Sequence, residues 1–413
     1  MTRRMPVYLD NHATTRLDPR VLDAMMPFLQ EQYGNPASRS HEYGWTAEAA
    51  VNIARAQIGR LIGAEAEEIV FTSGATESIN LAVKGTAEGL FQRSRRPGYQ
   101  VITAATEHRA VPHACRRLED FGFRVVVLPV DEFGGVSPDA IARAITDDTV
   151  LVSIMWANNE IGTIAPLEEI AGICRARGVL FHTDATQAAG RIPTNLRRVP
   201  ADLVSFSAHK MYGPKGVGAL YIRPHTPHIP LAAQIDGGGH ERGMRSGTLN
   251  VPGIVGFGKA AELAGQEMKE ENVRIAGLRD RLVAGIQHHL GETHVNGHPV
   301  DKLTHNASLT FPGLRADALM MAMKDIAVSS GSACSSAQQG DSHVLRAIGL
   351  SASESKGTLR FGLGRFTTRE EIDYAVRRVV ETVHGLRAKA LSGEESPHAP
   401  ALSRAEELPR PLS

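Results

Sequence analysis

Lys210 stands in ADLVSFSAHKMYGPKGVG, residues 201–218, where a strand-like run to Phe206 gives way to a polar turn and a Gly/Pro-rich loop. A primary amine there can bond to an aldehyde. Asp184 leaves another strand-like run, Gly178–Thr183, and is followed by Gln187; a carboxylate at a strand end can pair with a protonated ring nitrogen. A third run, Ile69–Thr72, leads into Ser73-Gly74-Ala75-Thr76 at the start of a helix. Free N–H groups and the helix dipole make that a phosphate cradle. Amine, carboxylate and cradle together are the parts that pyridoxal phosphate needs. Alone, Lys210 reads as readily as a solvated loop lysine; the ordered trio favours the cofactor.

These residues need strands that finish at one edge. Met5–Leu9 reads as a short strand, Asp10–Arg16 as a polar loop, and Asp18-Pro19 caps a helix reaching about Leu29. A tight loop, Gly34–Ser38, precedes the helical pattern Trp45–Leu61; strand Glu68–Phe71 and a helix beginning near Thr76 follow. Gly85–Gly98 reads as a basic surface connection. Further strands are expected at Gln100–Ala104, Phe123–Leu128, Thr149–Met155 and Gly218–Ile222, with helices from about Glu107 to Phe121, from Pro138, and over Pro166–Arg177. Repeated β-α units predict an α/β fold: a mostly parallel sheet with helices on both faces and ligands at the carboxyl ends of its strands. His108, Asn159, Asp184 and Lys210 all fall at such ends.

Gly237–Asn250, GGGHERGMRSGTLN, breaks the alternation and needs a ligand or a neighbouring subunit to order it. Pro252 to about His289 is helical. Beyond it, strands Ser308–Phe311, Ile326–Ser329 and Thr358–Phe361 beside helices Ala316–Ala322, His343–Ile348 and Arg369–Leu386 predict a small α+β domain. The expected division is a segment 1–15 packing with the small domain, a large domain 16–262, a small domain 263–390 with a mobile Cys334 loop, and a disordered tail 391–413.

At 413 residues the chain exceeds one typical core. Lys+Arg and Asp+Glu both total 45, so charge gives no reason to expect nucleic acid or an acidic membrane surface. No apolar run is long enough to span a bilayer, and the basic start lacks an apolar core, so the expected address is the cytoplasm. Cys115, Cys174 and Cys334 make neither a disulfide framework nor a metal spacing. Cys115 and Cys174 sit in helical patterns, where burial is the default. Cys334, in SSGSACSS, has no apolar neighbours to pack with, and an exposed thiol suggests reactivity.

With VYLDNHATT, GNPASRSH, FTSGATES, TEHRAV, NNEIG, HTDATQ, SFSAHKMYGPKG, GGGHERGMRSGT, SSGSAC and LRFGLGRFTT in order, the chain resembles the pyridoxal-phosphate-dependent cysteine desulfurases of the class V aminotransferase group. It looks most like the bacterial iron–sulfur-assembly and nitrogen-fixation types, from about Val7 to Leu386. The resemblance implies a fold-type-I homodimer that converts L-cysteine to L-alanine. Lys210 would be the cofactor-linked lysine and proton carrier, Asp184 the ring-nitrogen partner, His108 the stacked imidazole, and Gln187 the partner of the ring oxygen. Gly74, Ala75, Thr76, Ser207 and His209 would hold the phosphate, with Thr248 reaching in from the other subunit. Arg360 with Asn159 would clamp the substrate carboxylate, and Cys334 would take the sulfur as a persulfide.

The resemblance implies delivery to an acceptor such as an iron–sulfur scaffold or a carrier for tRNA thiolation. Cys334 would hold no resident metal, at most contributing transiently to a cluster on a partner. Other readings are a selenocysteine lyase, an aminotransferase and a non-catalytic scaffold of the same fold. Two departures stand out. Asn11-His12 and Trp156 differ from the best-known members at positions expected near the site entrance, and Leu391–Ser413 lacks their aromatic docking anchor.

Overall fold

The computed structural model describes residues 6–94, 96–224, 228–331 and 342–392. In chain order its elements are β1 (Val7–Tyr8), α1 (Pro19–Gln30), α2 (Glu42–Ile62), β2 (Ile69–Thr72), α3 (Ala75–Asn80), α4 (Thr86–Ser94), β3 (Gln100–Ala104), α5 (Ala110–Glu119), β4 (Arg124–Leu128), α6 (Pro138–Ala144), β5 (Thr149–Ser153) and α7 (Leu167–Ala176). There follow β6 (Leu180–Asp184), β7 (Leu203–Ser207), β8 (Gly218–Ile222), α8 (Val251–His289), β9 (His294–Asn296), β10 (Asn306–Thr310), α9 (Ala316–Ala322), β11 (Ile326–Ala327), α10 (His343–Ala347), α11 (Ala352–Lys356), β12 (Thr358–Gly362) and α12 (Arg369–Ser392).

Seven strands form one sheet in the order β2-β8-β7-β6-β5-β3-β4. Pairing is parallel from β4 across to β7, and β8 runs antiparallel to both β7 and β2. This is the expected α/β architecture, a mixed but mostly parallel sheet flanked by helices. β3, β6 and β7 are buried along almost their whole length, as strands covered on both faces must be.

The expected surface connection at Gly85–Gly98 is largely helix. α3 runs without a break through a π-turn, Leu81–Gly85, into α4. Leu81, Val83 and Ala87 are buried, and that apolar face outweighs the glycines and arginines that suggested a loop. Gly89 is required by packing, since a Cβ there would lie 2.4 Å from the Pro230 carbonyl oxygen. β9 and α11 have too few residues to leave a periodic signal.

β2 is an edge strand, and the Gly237–Asn250 loop covers it. Glu241 accepts from the Phe71 N–H at 2.7 Å and pairs with Arg55 at 2.7 Å, while Arg242 donates to the Ile69 carbonyl at 3.1 Å. The Arg55 guanidinium lies 4.5 Å above the Phe71 ring. These bonds hold Glu241 and Arg242 at φ of 48° and 59°, positions that cost an ordinary side chain free energy. Glu241→Ala leaves the nearly buried Arg55 guanidinium without its carboxylate, keeping its bond to the Ile69 carbonyl, and leaves the Phe71 N–H without its acceptor. It is expected to lose about 3–5 kcal/mol of unfolding free energy, read as a lower urea midpoint.

A second core surrounds the three-stranded sheet β12-β10-β9, with β1 paired parallel to β11 beside it. α8 serves both cores: Ile254, Phe257, Ala260 and Ala261 pack under the large sheet, while Ile275, Leu282 and Ile286 pack in the second core. Tyr212 joins the two. Its ring lies between Arg191 at 4.2 Å and Arg365 at 4.4 Å, and its hydroxyl accepts from the Arg365 N–H at 2.5 Å. Arg365 also pairs with Asp18 at 2.7 Å and with Glu271 at 2.9 Å.

Candidate active site

Four neighbouring strands deliver their exits to one edge of the sheet. His108 follows β3, Asn159 follows β5, Asp184 ends β6, and Lys210 closes a 3-10 turn, Ala208–Lys210, after β7. They open into a cavity of about 580 Å³, which Gly74, Ala75, Thr76, Gln187, Ser207, His209 and Arg360 also line. Thr248 does not line it; it is exposed on the loop that covers β2. Cys334 lies outside the described residues.

The Ser73–Thr76 turn is shaped by two glycines. Gly74 has φ +154°, and a Cβ on Gly218 of β8 would stand 2.6 Å from the Gly74 Cα, so the turn settles directly on the strand beside it. Glu77 accepts from the Ser73 N–H at 2.7 Å and from Arg245 Nε at 2.9 Å. The helix start is thereby tied to the Gly237–Asn250 loop.

Lys210 Nζ donates to the carbonyls of His12 and Ala13, the latter at 2.7 Å. His108 Nδ1 accepts from the Ala110 N–H at 3.3 Å, which leaves the ring proton on Nε2. Burial lowers the His108 pKa; Asp184 opposes the shift, and Lys210 and His343 reinforce it. Burial with Lys210 and Lys215 lowers His209 to about 4, so its ring is a neutral hydrogen-bonding group at pH 7, 3.1 Å from Thr14 Oγ1. Asp184 Oδ1 accepts from the Thr186 N–H at 2.9 Å.

Arg360 of β12 reaches the cavity from the second core and is 2% exposed. Its Nη2 donates to Asp10 Oδ1 at 3.0 Å and Ser329 Oγ at 2.7 Å, and its Nη1 to the Asn159 carbonyl at 2.8 Å. Arg360 Nε, Asn159 Oδ1 and Thr186 Oγ1 are buried without a hydrogen-bond partner among the described residues. Each such atom costs roughly 1–3 kcal/mol. A lysine, a strand-end carboxylate, a glycine-shaped helix start and an imidazole on one cavity fit pyridoxal phosphate, and a guanidinium in its lining fits a substrate carboxylate.

Several residues in the site were not singled out from sequence. Asp10 is brought to Arg360 by its bridge to Gly362. Glu160 accepts from Ser342 Oγ at 2.5 Å, and burial raises its pKa. His343 Nε2 donates to the Glu107 carbonyl at 2.9 Å. Glu160 lies in the NNEIG segment, from which only Asn159 was taken as a candidate; nothing in the pattern of α10 marked His343. His12 and Trp156 are not at an entrance. Both are buried, His12 in the cavity wall and Trp156 in the large core, because β1 and β5 carry them inward.

Residues 7–375 match the aminotransferase class-V family. A cysteine desulfurase IscS of Anaeromyxobacter sp. is 54% identical over 384 residues, covering 93% of this chain and 94% of that protein. The protein of the same name from Methylococcus capsulatus is 52% identical over 384 residues, with the same coverage of 93% and 94%. Among solved structures, a NifS-like protein superposes with a TM-score of 0.85 at 39% identity, covering 92% of this chain and 100% of that one. SspA in complex with cysteine superposes at 0.76 with 33% identity, covering 88% and 100%. The chain therefore belongs to the aminotransferase class-V family, in its cysteine desulfurase branch.

Proposed function

We propose that this protein uses pyridoxal phosphate to remove sulfur from L-cysteine, leaving L-alanine and a persulfide on Cys334. The observation that carries the reading is the meeting of Lys210, Asp184, His108 and the Gly74 turn on one cavity, which the buried Arg360 also lines. When bound, the cofactor supplies an electron sink that makes the substrate Cα–H acidic and weakens its Cβ–Sγ bond.

Asp184 keeps a proton on the ring nitrogen, His108 supports the ring face, and Gln187 serves the ring oxygen. Gly74, Ala75, Thr76, Ser207 and His209 hold the phosphate, and Thr248 of the partner subunit completes it in a homodimer. Arg360 and Asn159 orient the substrate carboxylate. Lys210 Nζ takes the Cα proton and returns it to the product skeleton; in this structure it donates to the His12 and Ala13 carbonyls. The Cys334 thiolate then attacks the substrate sulfur. The S–S bond forms as Cβ–Sγ breaks, the electron pair of that bond stays with carbon, and protonation there gives alanine.

The persulfide passes to an acceptor protein for iron–sulfur cluster assembly or tRNA thiolation, and the work is done in the cytoplasm. Among the described residues no helix is long and apolar enough to cross a membrane. The test is to incubate purified protein with L-cysteine and measure alanine together with persulfide mapped by mass spectrometry. Equal amounts of alanine and sulfur, with the first sulfur on Cys334, are expected. Turnover of selenocysteine alone, or transamination without sulfur release, would sink the reading.

Arg360→Lys keeps the charge beside Asp10 but loses the fork that reaches Asp10, Ser329 and Asn159 together. The expected result is a rise in KM for cysteine of about tenfold or more with a much smaller change in kcat. An unchanged KM would remove Arg360 from substrate binding.

A further inference from the structure

Both polar atoms of the Gln187 side chain depend on His12. Gln187 Oε1 lies 3.0 Å from His12 Nδ1, and Gln187 Nε2 donates to the His12 carbonyl at 3.1 Å. Across the ring, Asn306 Nδ2 lies 3.1 Å from His12 Nε2 and donates to the Glu160 carbonyl, also at 3.1 Å. Backbone carbonyls only accept, so the two carbonyls fix which end of each amide carries nitrogen. An Asn306 nitrogen facing Nε2 makes that atom the acceptor. The single proton of the His12 ring therefore sits on Nδ1 and is donated to Gln187 Oε1.

The ring is 1% exposed and stacks on His305 at 4.5 Å. Burial and the cations Arg360, Lys210 and Arg191 around it hold its pKa well below the usual imidazole value, which keeps it in this neutral form. The His12 carbonyl also accepts from Lys210 Nζ, so one residue anchors two groups of the cavity wall.

We propose that His12 is a positioning residue that fixes the orientation of the Gln187 carboxamide and so commits its second N–H to the ring oxygen of the cofactor. The proposal rests on the pyridoxal-phosphate reading above. A turned carboxamide would put its acceptor oxygen, in place of an N–H donor, against that ring oxygen and could not stabilise it in its deprotonated form.

The experiment combines imidazole nitrogen NMR of the whole protein with cofactor titration. The chain has 17 histidines; His12 is assigned as the signal missing from His12→Asn. It is expected as a neutral Nδ1–H ring that does not titrate between about pH 6 and 8. An Nε2–H or doubly protonated ring overturns the proposal. His12→Leu removes the donor, whereas His12→Asn keeps an N–H at the same distance from the backbone. Pyridoxal phosphate added to the apoprotein is expected to bind about tenfold more weakly to the leucine variant, with a displaced pH midpoint of its visible band, and the asparagine variant should recover both.

A folded leucine variant with native affinity and spectrum overturns the proposal alone. Failure of the unsubstituted protein to bind the cofactor sinks the functional reading and the proposal with it. Should the leucine variant not fold, Asn306→Asp gives the second test. Its carboxylate draws the proton to Nε2, and native cofactor affinity there would equally overturn the proposal.

Discussion

Lys210→Ala is expected to lower alanine formation from L-cysteine by about a thousandfold or more, because a positioned general base contributes on the order of a hundred- to ten-thousandfold and, in the proposed mechanism, this lysine also anchors the cofactor. Lys215 is the one other lysine in the cavity lining among the described residues, and it donates to the Thr15 carbonyl at 3.4 Å, away from the Asp184 strand end. The variant should remain folded, since Lys210 is only partly buried and its lost bonds go to two carbonyls near the cavity. The measurement is turnover beside the visible spectrum. Cofactor that still binds without its lysine-linked band, with turnover at background, is the expected pair. Retention of a tenth of the native rate would place the base elsewhere.

Cys334→Ala is expected to abolish persulfide formation and reduce alanine release to background while leaving the cofactor spectrum intact. The reasoning is by elimination. Cys115 in α5 and Cys174 in α7 are buried and free, and burial raises both thiols to about 12. At pH 8 about one in ten thousand of either is thiolate, the form that attacks sulfur. Neither lines the cavity. Of the three cysteines in the chain, burial argues against Cys115 and Cys174, which leaves Cys334. The check is alanine release together with alkylation mapping, in which the native chain labels at Cys334 and the variant does not label at Cys115 or Cys174. Full alanine formation by the variant would mean that no enzyme thiol is required, the behaviour expected of a lyase.

The strand exits were legible because a buried strand followed by a polar residue is a local signal. Lys210 and Asp184 each sit where such a run stops, and the sheet order then makes the exits adjacent. The Thr86–Ser94 helix was lost for a local reason too: a π-turn shifts the apolar face, and the run to Arg96 reads as solvent-loving. Asp10 and His343 were not legible, since their meaning comes from partners hundreds of residues away in the chain, Gly362 for one and Glu107 for the other. His12 was visible as an oddity and gained a role only when its neighbours Gln187 and Asn306 were in place.

The pairing of Val7–Tyr8 with Ile326–Ala327 joins positions about 320 residues apart. During synthesis at about 5–20 residues per second, the first strand leaves the ribosome roughly 15–60 s before its partner exists. The large sheet, whose last strand ends at Ile222, can form in that interval; the Asp10–Arg360 pair cannot. The nascent chain thus passes through a stage in which Lys210 is already housed at its strand end while Arg360 is still unmade. A truncated translation product would carry the lysine side of the cavity without the arginine that lines its other part.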